Sequence, residues 1–201
     1  MARSQVDLAN TALGFLVRDT IRDLDGTTPG AIHTKANMQL AIELVIGEFD
    51  WPDCRVISSL SEVELADLRG WTHAYTVPSD MVKVWQIGAS KNSTPVQFEQ
   101  GMSSDLSSNR SYIFTDQASA VIRYGSSRVT IDRFSAAIFE LIALKLASLC
   151  CMVITKDKTL LKFISDTYKT KLSEVKTSVA NAEPEMIDQE FVPEFISVRS
   201  E

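Results

Sequence analysis

The sequence has few of the residues that build most active sites and metal sites. Only two histidines, His33 and His73, occur in 201 residues, and neither has a cysteine or acidic residue at metal-ligand spacing. The three cysteines, Cys54, Cys150 and Cys151, are an odd number without the spacing of a secreted disulfide scaffold. These absences argue against a zinc enzyme, a Ser-His-Asp hydrolase and a disulfide-stapled domain. We predict that both histidines lie on the surface or in loops.

Motifs that bind phosphate or calcium are also missing. Neither G-x-x-x-x-G-K-[ST] nor G-x-G-x-x-G occurs. Residues 23–26 (Asp-Leu-Asp-Gly) match part of a calcium loop, but that register puts Ile21 and Ile32 at the first and last ligand positions. No spacing brings two carboxylates together for acid–base chemistry. The sequence therefore predicts no enzymatic activity, no metal and no cofactor.

Composition and charge indicate an acidic globular protein. Hydrophobic residues make up 45% and charged residues 23% of the chain, and the formal net charge is −6. An acidic surface repels a polyanion, so specific DNA binding is not expected. The first residues lack the apolar run of a signal peptide, which together with the cysteines favours assembly in a reducing cytoplasm.

One long apolar run, Ala136–Ile154, has the length of a membrane span. It contains Glu140 and Lys145, and each charge costs roughly 2.5–3.5 kcal/mol near the centre of a bilayer. We therefore predict a buried helix and no membrane partner.

Apolar spacing predicts four helices, two near each end of the chain. The first covers residues 4–16 with Ser4 as its N-cap, and the second covers 34–49. The third covers 133–154 behind Asp132 as N-cap, and the fourth covers 156–181 behind Thr155. The fourth carries one apolar stripe, expected to be core, formed by Leu161, Ile164, Tyr168, Leu172, Val175 and Val179.

The middle of the chain has the composition of short strands separated by turns. The β-prone runs are 56–60, 81–87, 96–99, 112–115, 120–124 and 128–131, with loops at 90–94 and 101–111. The predicted fold class is therefore α+β, a four-helix bundle from both chain ends with an inserted antiparallel β domain. The predicted domains are 1–54 with 132–182 for the bundle, 55–131 for the β insertion, and 183–201 for an extended C-terminal arm.

Two surfaces are candidates for binding a partner. Lysines on the last helix form a basic face, which is either a solvated surface or a contact for phosphate or an acidic partner. The arm at 183–201 places large apolar residues among acids and prolines, as in an extended segment that binds a neighbouring subunit, or in a disordered tail. The candidate residues are Lys158, Lys162, Lys169 and Lys176 on the helix and Phe191, Val192, Phe195 and Ile196 in the arm.

Several segments together resemble the tail tubular protein A adaptors of T7-like, short-tailed phages. The resemblance covers roughly residues 4–180, and it depends on the order of the segments because none is specific alone. Arg133 departs from the pattern, since members of the family often have proline just before the helical phenylalanine. The segments are 8–13 (Leu-Ala-Asn-Thr-Ala-Leu), 40–51 ending in tryptophan, 75–84 with Tyr-x-x-Pro-x-Asp, 122–124 (Ile-Arg-Tyr), 132–134 (Asp-Arg-Phe) and 143–147 (Ala-Leu-Lys-Leu-Ala).

This resemblance implies a structural protein of the virion, located at the head–tail interface and assembled in the host cytoplasm. The implied assembly is a ring of about twelve subunits that joins the portal protein to the tail nozzle protein and continues the DNA ejection channel. Genomic DNA would pass through without specific binding, and tail fibres attach nearby in some members. The lysine face would then contact another subunit or the portal.

Two other functions remain open from the sequence. One is a tail-associated glycan hydrolase built from scattered carboxylates, which the missing motifs disfavour. The other is a soluble helical binding module unrelated to phage, which a portal gene nearby in the genome would argue against.

Overall fold

The computed structural model describes residues 3–89, 94–102 and 110–182, and this part of the chain is mixed α+β, as predicted. Its four helices are α1 (Gln5–Phe15), α2 (Pro29–Ile46), α3 (Ala136–Ile154) and α4 (Lys158–Ala182). Its six strands are β1 (Arg55–Ser59), β2 (His73–Thr76), β3 (Met81–Gly88), β4 (Glu99–Met102), β5 (Ser111–Thr115) and β6 (Val121–Ser126).

Helix α1 begins at the N-cap that the sequence predicts. The Ser4 hydroxyl accepts a hydrogen bond from the backbone N–H of Asp7 at 3.1 Å, and the Asp7 carboxylate accepts one from the Ser4 N–H at 2.8 Å. This capping box satisfies two N–H groups that the helix itself leaves unpaired. The prediction for α1 is therefore confirmed to within one residue at each end.

The other three helices begin at residues different from those predicted. Helix α2 starts at Pro29 rather than residue 34, because Thr28 caps it and proline is well suited to the first helical position. Helix α3 starts after Ser135 rather than Asp132, since Ile131–Arg133 forms a 3-10 turn. Helix α4 starts at Lys158, two residues after the predicted start, because Asp157 rather than Thr155 accepts the hydrogen bonds of its first N–H groups.

The observed strands differ from the predicted ones at three places. Strand β2 was not predicted, and β4 lies at Glu99–Met102 rather than 96–99, partly inside the predicted loop at 101–111. The predicted strand at 128–131 is absent, since this segment leads into the 3-10 turn. Both β2 and β4 have only four residues and pair with β5, so tertiary pairing rather than local alternation defines them.

The six strands form two antiparallel sheets that share a buried apolar cluster. One sheet has the order β1-β6-β3, and the other has the order β2-β5-β4. Tyr75 and Ile113 from the second sheet lie in the same cluster as Ile122 and Tyr124 from β6. The sheets therefore pack face to face, and alternate residues of β6 point the other way, toward the helices.

Helix α3 is the centre of the helical core, because α1, α2 and α4 all pack against it. Its length and composition would also suit a membrane span, and more than half of its most apolar stretch is buried inside the protein. Leu141, Ile142 and Leu144 are almost completely buried. Trp51 joins the same core, and its indole N–H donates to the Val45 carbonyl at 2.7 Å.

The helices meet the first sheet through a few specific contacts. A Cβ atom on Gly125 of β6 would lie 2.7 Å from Ile46 Cγ2 of α2, so only glycine permits this approach. Lys83 of β3 donates to the Gly47 carbonyl at 3.1 Å. The domain boundaries after residues 54 and 131 stay a prediction.

Candidate interaction surfaces

The basic face of α4 runs along one side of the helix, with Lys158, Lys162 and Lys169 exposed and Lys176 half-buried. Its four lysines, Lys158, Lys162, Lys169 and Lys176, are four, seven and seven residues apart, close to whole turns of an α-helix. Lys169 lies 3.8 Å from Asp166, and Lys176 lies 3.7 Å from Glu48. In the described part of the chain, Lys158 and Lys162 form no ion pair. We call these four lysines the lysine row.

The apolar stripe of α4 is less buried than the sequence predicts. Only Ile164 and Tyr168 are buried, whereas Leu161, Leu172, Val175 and Val179 are half-buried against the helical core. The reason is that α4 packs chiefly on α3 and lies outside the group that α1, α2 and α3 form. The expectation that the stripe faces the core is confirmed, since all six residues lie in the core cluster or pack against it, but four of them keep part of their surface exposed.

Tyr168 places a buried polar atom beside this half-open stripe. Its hydroxyl has no hydrogen-bond partner among the described residues, and the Lys145 ammonium lies 5.0 Å from the centre of its ring. Burial, with the nearby Glu48 carboxylate, raises the pKa of Tyr168 to about 12. The phenol therefore stays protonated and keeps an O–H to donate.

The segments around Asp80 and Tyr124, which the sequence singles out separately, meet at one end of the first sheet. The Asp80 carboxylate accepts a hydrogen bond from the Ser126 hydroxyl at 2.5 Å, and the Tyr124 hydroxyl lies 3.4 Å from both carboxylate oxygens. Burial disfavours the charged form, but these hydrogen bonds and the Arg128 charge outweigh it and lower the pKa of Asp80. Asp80 is therefore an ionised anchor between β3 and β6.

An open cleft of about 490 Å³ lies beside this anchor. Of the acids that line it, Asp53 accepts from the backbone N–H of Ser135 at 2.6 Å, and Asp80 is engaged as described above. Three arginines, Arg55, Arg128 and Arg133, also line the cleft. With two acids against three arginines, a formal sum of +1, the cleft has no strong charge of one sign.

The junction between helices and sheet contains an ion-pair cluster that sequence reasoning missed. The Asp50 side chain, 14% exposed, lies 2.8 Å from Arg55 Nε and 3.0 Å from Arg123 Nε. The contact with Arg55 is a hydrogen bond, whereas the Arg123 contact is an ion pair without hydrogen-bond geometry. Arg123 is 73 positions from Asp50 in the chain, so no local pattern indicates this pairing.

The two histidines lie on different elements of the described part of the chain. His33 lies in α2 and His73 in β2, both half-buried, so neither lies in a loop. His73 Nδ1 lies 2.6 Å from a Glu62 carboxylate oxygen. No group of three or more His, Cys, Asp or Glu side chains within residues 3–89, 94–102 and 110–182 is arranged to hold a metal ion.

The cysteines are buried and reduced. Cys54, Cys150 and Cys151 are all free and buried. Burial raises the pKa of Cys54 to about 12 and that of Cys150 to about 11. These two thiols therefore stay protonated at neutral pH, which makes them poor nucleophiles.

The predicted arm residues, Phe191, Val192, Phe195 and Ile196, lie outside the described residues. Comparison of the chain with models of protein families and with curated proteins found no match. The surfaces of the described residues and the resemblance of several segments to the phage adaptors are therefore the basis for a functional proposal.

Proposed function

We propose that this chain is a structural adaptor that forms a ring between the portal and the tail nozzle of a short-tailed phage. The observation that carries the proposal is the position of the segments that resemble tail tubular protein A. Leu8 and Leu13 from the first segment and Trp51 from the second are buried in the helical core. Asp80 and Tyr124, from the third and fourth, form the polar anchor of the first sheet. Segments that build a scaffold suit a structural protein.

We also propose that the four helices act as one bundle and the strands as a domain inserted into it. The chain order supports this division, because both ends supply helices and the middle supplies strands. The central position of α3 supports it further. Asn10 stabilises the connection between α1 and α2. Its side-chain NH2 donates a hydrogen bond to the Ile21 carbonyl, and its side-chain oxygen accepts one from the Ile21 N–H.

The electrostatics favour assembly on a template. At −6 per chain, about twelve copies carry about −72, and this repulsion opposes spontaneous closure of a ring. Contacts with the portal offset that repulsion by burying surface. We propose that the lysine row faces another subunit or the portal, because lysines lining the channel would hold the passing DNA.

The C-terminal arm, residues 183–201, is proposed to bind an adjacent subunit or the portal in the assembled ring. Each large apolar side chain in it gains roughly 1.5–3 kcal/mol from burial compared with exposure to water. Truncation after Pro184 is expected to leave the helical content unchanged and to prevent joining of the portal. A truncated chain that joins the portal as well as the full chain would exclude this role.

The central experiment is electron microscopy of the purified protein with and without the portal from the same genome. We expect monomers alone and rings on the portal, with light scattering as the measure of mass. Lys158→Glu with Lys162→Glu should weaken assembly, whereas Lys35→Glu, in an exposed ion pair with Asp25, is the matched control. Failure to bind the portal would overturn the adaptor proposal, and stable rings of the protein alone would overturn the need for a template.

The proposal of a non-enzymatic role has its own test. Host polysaccharide and peptidoglycan are incubated with the purified protein, and released sugars are measured. We expect no release above background, because the sequence has no nucleophile or paired-acid motif and no His, Cys, Asp or Glu group among the described residues is arranged to hold a metal ion. Activity that a single Asp or Glu substitution abolishes would establish a hydrolase instead.

A further inference from the structure

The half-open side of α4 combines an apolar row with the lysine row. Leu172 lies three residues after Lys169 and four before Lys176, and Val179 lies three after Lys176. Residues at these spacings are neighbours on a helix surface. The half-buried apolar side chains are therefore bordered by ammonium groups along most of the helix, which suits an extended segment with both apolar and acidic side chains.

The end of the same chain has the complementary pattern. Residues 183–201 contain six acids and one basic residue, Arg199. Glu190 directly precedes Phe191, and Glu194 directly precedes Phe195. Two of the six acids thus adjoin an aromatic residue, as the half-buried apolar residues of α4 adjoin lysines.

The length of the arm allows it to run back along its own helix. Helix α4, 25 residues, is about 37 Å long, and nineteen extended residues span up to about 63 Å. If the chain reverses near Pro184 and Met186, Phe191 lies about 16 Å back from the helix end, at the height of Leu172. Glu194 then lies about 26 Å back, within roughly one turn of Lys162.

We propose that residues 187–196 dock on α4 of their own chain, with the aromatic residues over the half-buried apolar row and the acids beside the lysine row. This docking is the state of the isolated chain, whereas the proposed ring would place the arm on a neighbouring subunit or the portal. The inference depends only on this chain and not on the adaptor proposal, so either can fail alone.

The test is paramagnetic broadening of amide signals in the full-length protein. A nitroxide is attached to Ser197→Cys, which labels selectively because the three native thiols are buried. We expect amide signals of residues 158–165 to lose at least half their intensity at low salt and to recover in about 1 M salt, where the screening length is about 3 Å. Signals of α1, on the far side of α3, serve as the reference.

Substitutions test whether charge and apolar contact both contribute. Glu194→Lys and Phe195→Ser are each expected to restore the α4 signals, and Lys162→Glu combined with Glu194→Lys should recover part of the broadening. Glu201→Lys, the matched control beyond the docking segment, should change nothing. Lys162 is exposed and the other substituted positions lie beyond α4, so circular dichroism should be unchanged.

A mixture of two forms of the protein identifies the occupant of α4. One form carries the nitroxide but no ¹⁵N, and the other carries ¹⁵N but no nitroxide. Docking within one chain predicts no broadening in this mixture. Broadening that persists in the mixture would show that the arm of a second copy occupies α4, and the absence of α4 broadening in both samples would show that the arm binds elsewhere. Either result overturns the proposal.

Discussion

The helical core and its junction with the first sheet are held together by different kinds of contact. The core consists of apolar side chains around α3, such as Leu141 and Ile142, that are almost fully buried. The junction depends on the Asp50 ion pairs, the Lys83 contact with Gly47, and the close approach of Gly125 to Ile46. Burial of apolar area has no preferred direction, whereas ion pairs and a glycine contact require a defined geometry.

The two kinds of contact therefore have different roles. Core contacts stabilise the fold, and junction contacts orient the first sheet against the helices. Loss of volume in the core lowers the free energy of unfolding strongly, but the remaining apolar residues still pack together. Loss of a junction contact has a smaller effect on stability and acts on how the sheet is positioned against the helices. The four predictions that follow test this contrast in order of expected effect.

The largest effect is expected from a cavity in the core. Leu141→Ala should lower the free energy of unfolding by about 2–5 kcal/mol, because Leu141 is fully buried in α3. Leu44→Ala in α2 is the matched control, and since Leu44 is 38% exposed it should cost less than about 1 kcal/mol. Urea unfolding followed by circular dichroism measures both. Equal costs for the two variants would contradict the assignment of α3 as the centre of the core.

The next effect is expected at the Asp50 cluster. Asp50→Asn should cost about 1.5–3 kcal/mol, because it removes the charge that two largely buried arginines share. Asp25→Asn is the control, since its ion pair with Lys35 is exposed and should contribute little to stability.

A double-mutant cycle separates this cluster from a general loss of charge. Asp50→Asn and Arg123→Gln should be strongly non-additive in the free energy of unfolding. Additive costs would show that the 3.0 Å contact between Asp50 and Arg123 contributes nothing to stability.

A third prediction concerns the backbone contact at the junction. Gly125→Ala should destabilise the protein by about 1–3 kcal/mol, because the new Cβ atom meets Ile46 Cγ2 at 2.7 Å. The penalty should be smaller in an Ile46→Ala background. Gly14→Ala in α1 is the control, where nothing lies within 4 Å of the new atom. That change should stabilise the protein by about 0.5–1 kcal/mol, and thermal unfolding compares the variants.

The parts of the fold that the sequence predicted are those with local signals. The α1 capping box involves residues only three positions apart, and the apolar spacing of α3 and α4 extends over many turns. The predicted start of α2 is wrong because a Pro-Gly pair is compatible with both a turn and the first turn of a helix. The Thr28 side chain, which caps α2, makes this pair the start of the helix. Strand β2 has no signal of its own, since its pairing with β5 defines it.

The candidate surfaces also differ in whether a local sequence pattern predicts them. The lysine row follows directly from helical spacing, but its half-open apolar neighbour does not, because spacing cannot show that α4 packs chiefly on α3. The contacts between Asp50 and Arg123 and between Asp80 and Ser126 join positions that are 73 and 46 apart in the chain. Such contacts are determined by the tertiary arrangement, which one sequence does not reveal.

The smallest expected effect is the pH dependence that Asp80 contributes. Burial raises the pKa of this carboxyl, but the hydrogen bonds from Ser126 and Tyr124 and the charge of Arg128 outweigh burial, so the folded pKa lies below 3.8. A group with a lowered folded pKa adds stability that is fully present above its unfolded pKa. That stability is lost as the pH falls through the folded pKa. The contribution at neutral pH should be below about 1 kcal/mol, because Asp80 is only partly buried and solvent screens its interactions.

The comparison of the native protein with Asp80→Asn isolates this contribution. The native protein should be the more stable of the two at pH 6, and the difference should shrink toward pH 2.5, as measured by the urea midpoint at each pH. Ser126→Ala should reduce the difference, because it removes the hydrogen bond that favours the carboxylate. Other carboxylates with lowered pKa values, such as Asp7, titrate in both proteins and cancel. A difference that is the same at both pH values would show that Asp80 anchors the sheet by geometry alone and not through its charge.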